Sequence, residues 1–318
     1  MSSTHSPCFD AIFKGSGVAA YAITDVQPVD SEAQLHYDSW IAAGHHAGMD
    51  YMERNGAVRA NPELLLPGSR SMICCAVPYP SPLHRPNGMA VNIASYALGD
   101  DYHKVIRDKL QQVAARIVGL YGGEARVCVD TAPFRERYWA RRAGLGFIGR
   151  NNHLIIPGLG SCFFLSEILT TVHLPATPPR HFAGCGNCHK CIDACPAGAI
   201  TDRCTVDCRR CLSYLTIEHR GEFPPETDLH GRLYGCDICA SVCPYNREVS
   251  HVRVLPELQP RPAIAALTLQ QVSALDQEAF SRLFSRSAIK RAKLAGLLRN
   301  ARQLLNAGDN SGKFGKNV

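Results

Sequence analysis

The run Gly184-Cys185-Gly-Asn-Cys188-His-Lys-Cys191-Ile-Asp-Ala-Cys195-Pro196 decides how this chain is read, together with its shorter echo Cys236-Asp-Ile-Cys239-Ala-Ser-Val-Cys243-Pro244. The first run is spaced C-x2-C-x2-C-x3-C-P, the second C-x2-C-x3-C-P. Thiolates at these intervals hold cubane iron–sulfur clusters, and where two clusters lie side by side the fourth cysteine of a run crosses over to the other cluster. The second run is one cysteine short. Cys204, Cys208 and Cys211 stand between the two, and one of them must complete the set. We assign Cys211, so that Cys185, Cys188, Cys191 and Cys243 hold one cluster and Cys195, Cys211, Cys236 and Cys239 the other. A pair of adjacent clusters is a path for electrons. A closed zinc site would need neither the third step of the first run nor a Cys-Pro at both ends. A disulfide framework belongs to small secreted chains, and this one is long.

The remaining composition describes a globular protein. Of 318 residues, 46% are hydrophobic and 19% charged, enough for a sizeable core and two or three structural units. No apolar run reaches the roughly eighteen residues of a membrane span. The opening Met1-Ser-Ser-Thr-His-Ser-Pro-Cys-Phe-Asp10 has no basic and then apolar character, so we expect no export and a reducing, cytosolic location for the 15 cysteines. The net charge of +6 is unevenly placed: Arg282, Arg286, Lys290, Arg291, Lys293, Arg299, Arg302, Lys313 and Lys316 share the last stretch with few acids. Such a stretch suits an anionic partner, RNA above all, or is simply a solvated helix face.

Ahead of the cysteines the text is mixed α and β. A helix and short strand fill Asp10 to Ile23, and Ser31 opens a helix that Gly44 ends. Ser71 to Val77 is a continuous apolar run of strand length, hence a buried central strand, with Cys74 and Cys75 as core residues. Lys104 to Tyr121 repeats apolar residues every three or four and is stopped by Gly122-Gly123. Ala125 to Asp130 is the next strand, with Asp130 at its carboxyl end, where open α/β sheets hold ligands. Pro133 fits the first turn of a helix running to about Ala143. Gly144, Gly146 and Gly149 follow a helix, so they are no dinucleotide fingerprint; they admit a large flat ligand or a neighbouring strand. His153 to Ile156 and Ser161 to Thr171 predict a hairpin, and Pro175 to Pro179 a linker. Leu267 to Leu275 and Gln277 to Asn306 predict helices, with a polar, disordered tail from Gly308.

Electrons carried by two clusters must reach something held by the first domain, and reductions consume protons. Asp130, at a strand end, is the candidate to supply them; its bland alternative is a helix N-cap.

The chain resembles the epoxyqueuosine reductases. The likeness lies in Met49-Asp-Tyr-Met-Glu-Arg54-Asn55, Arg59, Leu65-Leu-Pro-Gly-Ser-Arg70-Ser71, Tyr96-Ala97-Leu-Gly-Asp-Asp-Tyr-His103 and Val129-Asp130-Thr-Ala-Pro133 with Glu136-Arg137. It continues through Ala143 to Asn151, both cysteine runs, Arg210-Cys211-Leu-Ser-Tyr-Leu-Thr-Ile-Glu218-His219 and Ser287 to Lys293. The resemblance implies a cobalamin-binding α/β domain at 1–179, a bacterial-ferredoxin-like domain with two [4Fe-4S] clusters at 180–250, a short helical segment at 251–307 that contacts tRNA, and a tail at 308–318. It implies that epoxyqueuosine at the tRNA wobble position is reduced to queuosine, cob(I)alamin attacking the epoxide and Asp130 giving the proton, and it favours Cys211 over Cys208.

Within that frame the expected cobalamin contacts are Arg54, Tyr96, Ala97, Asp130, the Gly149-Arg150-Asn151 turn, Ser161, Ser213 and Thr216. No D-x-H-x-x-G run occurs, so cobalt is expected without a protein histidine; His153 and Cys162 are outside candidates near it. Lys290, Arg291, Lys293 and Arg299 are the expected tRNA contacts, few because relatives carry longer C-terminal helical repeats. A soluble low-potential donor of ferredoxin or flavodoxin type and a monomeric state complete the expectation. The alternatives are a corrinoid reductase of a small molecule, dehalogenase-like, and a non-catalytic electron carrier.

Overall fold

The structure, a computed structural model, describes residues 7–84, 86, 88–201, 205–247, 249 and 252–311. Cys204 lies outside them.

Helix α1 (Pro7–Ile12) leads into strand β1 (Ala20–Asp25), and α2 (Ser31–Ala42) begins at Asp30, whose side chain accepts the Ala33 N–H. A loop region with the short helix α3 (Gly56–Ala60) precedes β2 (Ser71–Pro78), every residue of which is buried. Then come β3 (Asn92–Ile93), the long helix α4 (Tyr102–Tyr121), β4 (Ala125–Cys128), α5 (Glu136–Arg142), the two-residue strands β5 (Phe147–Ile148) and β6 (Leu154–Ile155), and β7 (Phe163–Thr170). The main sheet has the order β1-β2-β7-β4 and all its pairings are antiparallel. Asp130 therefore sits beside an antiparallel sheet, not at the crevice of a parallel one.

Apolar residues on both faces of β2 and β7 require cover on both sides. On one face α1 and α4 pack Phe13, Ile106, Leu110 and Ile117 against Ile73 and Ile168; on the other α5 and the β6 region pack Trp139, Ala140 and Ile156 against Met72, Cys74 and Leu169. Cys74 and Cys75 are fully buried, as expected of core residues. The α4 periodicity is matched: Ile106, Leu110, Val113 and Ile117 are its buried face.

Two local expectations are corrected. Pro133 is not in a helix; α5 starts only at Glu136, because residues 131–134 are bent by short backbone bonds from Thr131 to Val129 and from Phe134 to Ala132. The expected hairpin closes only at an Ile156–Gly160 bridge; β6 pairs with β5, and β7 belongs to the main sheet. Gly146 and Gly149 serve this small ribbon, since a Cβ on either would collide with Ile155; the neighbouring-strand reading of the glycines holds.

The second half is a lobe of short elements: α6 (Lys190–Asp193), α7 (Leu212–Ile217), β8 (Arg232–Tyr234), α8 (Ile238–Ser241) and α9 (Pro244–Arg247). It is stitched to the first half by the parallel pair β3–β8. Beyond it lie α10 (Pro262–Ala265), α11 (Leu269–Ser273), α12 (Gln277–Leu283) and α13 (Lys293–Ser311). The single helix expected from 277 to 306 is broken at 284–292, where a one-turn 3-10 helix (Ala288–Ala292) intervenes between Arg286 and Lys293, both at positive φ. Helix α13 continues past Gly308 to Ser311; residues 312–318 of the expected tail lie outside the described residues. These helices share one core with β3, β8 and α7, through Ile264, Phe284, Ile289 and Leu297 against Ile93, Ile217 and Tyr234.

Candidate active site

The cysteines gather in two sets. Burial raises the Cys191 thiol, and the next charges upon it are those of Cys185, Cys243 and Cys188; Cys243 likewise, after burial, has Cys185 and Cys188 beside it. Cys211 is raised by burial with Cys195 as its thiol neighbour, and Cys239 by burial with Cys236 and Cys211. A small cavity of about 30 Å³ is lined by Cys185, Cys188, Cys191 and Cys243 together with Arg150 and Asn151. Cys243 thus stands with Cys185, Cys188 and Cys191, and Cys211 with Cys195, Cys236 and Cys239, while Cys191 is also near Cys239. Cys211 stands at the N-cap of α7; Cys208 is next to it but otherwise faces Arg137 and Asp207. Among the described residues no three His, Cys, Asp or Glu side chains converge on a single ion.

Asp130 follows β4 after one buried residue and has φ +50, a left-handed conformation that costs a non-glycine residue about 1–3 kcal/mol. It is held there by its own N–H, which donates to Glu136 Oε1 at 2.9 Å. The carboxylate oxygen Oδ2 accepts from Tyr102 Oη at 2.7 Å and lies 2.8 Å from His103 Nε2. Both partners stand on the first turn of α4, which Asp101 caps by accepting the His103 N–H. Tyr102 is fixed in turn by stacking on Phe164, centroids 4.1 Å apart. Burial would raise the Asp130 carboxyl, but the hydrogen bonds from His103 and Tyr102 outweigh it and hold it below the usual carboxylate range. Glu136 goes the other way: burial, then the negative Asp130, push it up to about 8. Behind it Glu167, fully buried on β7 opposite Cys74 and Cys128, is raised well above its ordinary value by burial.

The side chain of Asp130 is 51% exposed, yet burial is the largest influence on it. A group both reachable by solvent and walled by protein lies in a concavity. Arg137 shows the same combination, exposed but depressed chiefly by burial, and so does half-buried His153, lowered by burial and then Arg137 to about 4 and therefore neutral. Cys208 approaches Arg137 from the cysteine lobe. Above Asp130, Arg291 makes a two-pronged pair with Glu218 at 2.8 and 2.9 Å and lies over the Tyr51 ring at 5.4 Å. Asp130, Arg137, His153, Tyr51 and Arg291 thus line one cleft between the sheet unit and the cysteine lobe.

Of the expected cofactor contacts, Asp130 lines this cleft and Arg54 is exposed. Gly149-Arg150-Asn151 forms the β5–β6 turn and touches the first cysteine set, Arg150 Nη2 donating to Gly186 O at 3.1 Å. Ser213 is half-buried on α7, and Tyr96 packs against Tyr79, Tyr102, Phe164 and Tyr234. Three side chains are corrected. Ala97, Ser161 and Thr216 are 1%, 5% and 0% exposed, the Ser161 hydroxyl bonded to Asn246 and that of Thr216 to Leu212 O and Gly235 N; none turns a side chain to a ligand. Cys162 is buried beside Tyr79.

Of the expected RNA contacts, Lys290 and Lys293 are exposed and Arg291 belongs to the cleft. Arg299 is corrected: it is 4% exposed, and its guanidinium donates to the carbonyls of Leu215, His219 and Gly221. Its basic character serves the fold. Tyr102, His103, Glu136, Arg137 and Glu218 were quoted in the family likeness without roles. An Asp101 N-cap would have placed Tyr102 and His103 together on one exposed helix start, which was the available signal.

Comparison with known proteins follows the same lines. Residues 59–131 match a family model described as "Epoxyqueuosine reductase QueG, DUF1730", and residues 184–246 match a "4Fe-4S double cluster binding domain". An epoxyqueuosine reductase of Gloeobacter violaceus is 39% identical over 302 residues, covering 93% of this chain and 94% of that protein. A crystal structure of selenomethionine-labelled epoxyqueuosine reductase superposes with TM-score 0.86 at 28% identity, over 96% of this chain and 82% of that one. Another, of epoxyqueuosine reductase with an epoxyqueuosine-modified tRNA-Tyr stem loop, gives TM-score 0.83 at 30% identity, over 93% and 80%.

Proposed function

The chain belongs to the epoxyqueuosine reductase family, and from that premise we propose that it reduces epoxyqueuosine in tRNA to queuosine, with Asp130 as the proton donor. The observation that carries the reading is the half-exposed Asp130 carboxylate, bonded to Tyr102 and His103, in a cleft that the cysteine lobe reaches through Cys208. The relative solved with a modified stem loop supports tRNA as the substrate.

The donor set fits two iron–sulfur clusters: all eight assigned ligands are cysteines, grouped four and four, and one group surrounds a pocket. The cleft fits a large flat cofactor of the cobalamin kind, since Arg137 and His153 face it from the sheet unit and Cys208 from the lobe, and the neutral His153 brings no charge to it. When bound, the clusters supply single electrons and the corrin a strongly reducing, nucleophilic cobalt.

The chain's own residues do the rest. Conversion of an epoxide to an alkene and water takes two electrons and two protons, and the opening oxygen must be protonated as its C–O bond breaks. Asp130 is aimed into the cleft by its positive φ and by the Glu136 clamp on its N–H. Arg291, tied to Glu218 and Tyr51, closes the same cleft from above and can neutralise an anionic portion of the substrate. Lys290 and Lys293, exposed beside it, meet the RNA backbone. The electron donor in this reading is a soluble, low-potential ferredoxin or flavodoxin, and the enzyme acts as a cytosolic monomer.

The test is anaerobic turnover of epoxyqueuosine-containing tRNA by protein reconstituted with iron, sulfide and cobalamin, read by nucleoside mass spectrometry. Queuosine appears only with cobalamin present, and Asp130→Asn abolishes it while cluster and corrin spectra stay as in the wild type. Full activity in Asp130→Asn removes Asp130 as the acid.

A further inference from the structure

An acid is needed where the epoxide opens, yet Asp130 rests as a carboxylate receiving two hydrogen bonds. The proton must be held elsewhere. Three side chains stand in line: Asp101 Oδ1 lies 2.7 Å from His103 Nδ1, and His103 Nε2 lies 2.8 Å from Asp130 Oδ2. A neutral imidazole donates through one nitrogen only, so a ring with a carboxylate oxygen at hydrogen-bond distance from each nitrogen is satisfied only as imidazolium. The ring cannot rotate away: it stacks on Tyr102 at 4.0 Å and its side chain is 26% exposed. That degree of exposure leaves it a route to solvent.

We propose that His103 stores the proton used in the reaction and hands it to Asp130, which passes it to the substrate, while Asp101 holds the imidazole in line. This rests on the reading of Asp130 as the proton donor. As the epoxide C–O bond breaks, His103 Nε2–H passes its proton to Asp130 Oδ2, and the Asp130 carboxyl delivers a proton to the opening oxygen and returns to carboxylate. The neutral ring then recovers a proton from solvent. A second passage along the same line supplies the proton with which the oxygen leaves as water, the two electrons coming from the clusters.

The surroundings favour this division. Burial works against a charged His103, but the hydrogen bonds and charges of Asp101 and Asp130 prevail and raise it to about 9. The other groups facing the line are Tyr102 on the same helix, Glu136 from α5, Arg107 beside Asp101, and Arg291 near Asp130. Glu136, raised to about 8, is largely uncharged at neutral pH and does not compete for the ring's proton. His103 touches no reacting atom and is a positioning residue.

Two measurements test it. In the protein without cofactors, the imidazole ¹⁵N resonances of His103 should show both nitrogens protonated up to about pH 9, and Asp130→Asn should bring the midpoint down. A midpoint in the ordinary histidine range, about 6.5, overturns the proposal. In single-turnover reactions of the reconstituted enzyme, His103→Gln retains an N–H toward Asp130 but cannot release a proton. It should lose about 100-fold or more at neutral pH, regain rate as pH falls, and bind tRNA normally; imidazole added to His103→Ala should restore part of the rate. Wild-type rates and an unchanged pH profile in His103→Gln would reduce His103 to a structural neighbour. Retained turnover in Asp130→Asn would instead sink the reading beneath it, a result the resonance titration is independent of.

Discussion

Glu136 and Asp130 lie six residues apart in sequence, one carboxyl buried and the other half exposed, and the backbone N–H of the second bonds to the first at 2.9 Å. Their opposite displacement has a consequence for stability. A Glu titrating near 8 in the folded protein and near 4.3 when unfolded binds more protons folded than unfolded between those values. Stability therefore falls as pH rises through that window and is greatest below it. Glu136→Gln keeps an acceptor for the Asp130 N–H and removes the charge, so its denaturant midpoint should vary less with pH and exceed the wild type at pH 8 and above; an unchanged slope would mean another group carries the effect. At this scale the sequence showed Asp130 but not its setting. A carboxylate after a strand is visible as letters, whereas its φ of +50 and the His103 and Tyr102 bonds arise from a loop and a helix start brought together by the sheet.

Helix α7 carries cluster chemistry at one end and fold at the other. Cys211 is its N-cap, and its last carbonyls, which no further turn can satisfy, are taken by α13: Arg299 bonds Leu215 O, and Asn300 Nδ2 bonds Thr216 O at 2.8 Å. Arg299→Ala should cost about 2–4 kcal/mol in chemical denaturation, because it strands several buried carbonyls, and should leave the salt dependence of tRNA binding alone. Cys211→Ala should lose half of the iron on reconstitution, while Cys208→Ala keeps it; the reverse result would overturn the ligand assignment. The cysteine runs were legible because ligand spacing is a local property. The break between α12 and α13 was not, since Arg286 and Lys293 take positive φ without a glycine or proline to announce it. Arg299 was misread for a related reason: a basic residue on an amphipathic helix looks solvated until the carbonyls that meet it are known.

Across the whole molecule, the helices after residue 251 share one core with β3, β8 and α7. Exposed cations on these helices include Lys290 and Lys293, along with Arg282, Arg286 and Arg302, which pair with acids. Replacing either lysine with Gln should weaken binding of modified and unmodified tRNA alike and lower the slope of log affinity against log salt by about 1; equal slopes would place the RNA elsewhere. The mixed α and β character and the cysteine lobe were readable from the chain, but the shared core was not, because it joins segments more than a hundred residues apart. The grouping of Cys243 with Cys185, Cys188 and Cys191 also bears on how the protein is made. A nascent chain that has emerged only through the first run has three of the four thiols for that site, and the second site waits for Cys236 and Cys239. Neither can be filled on the ribosome until nearly the whole lobe has been synthesised, so delivery of iron and sulfide is a late event in the birth of this protein, and a chain stalled before Cys239 is born without either.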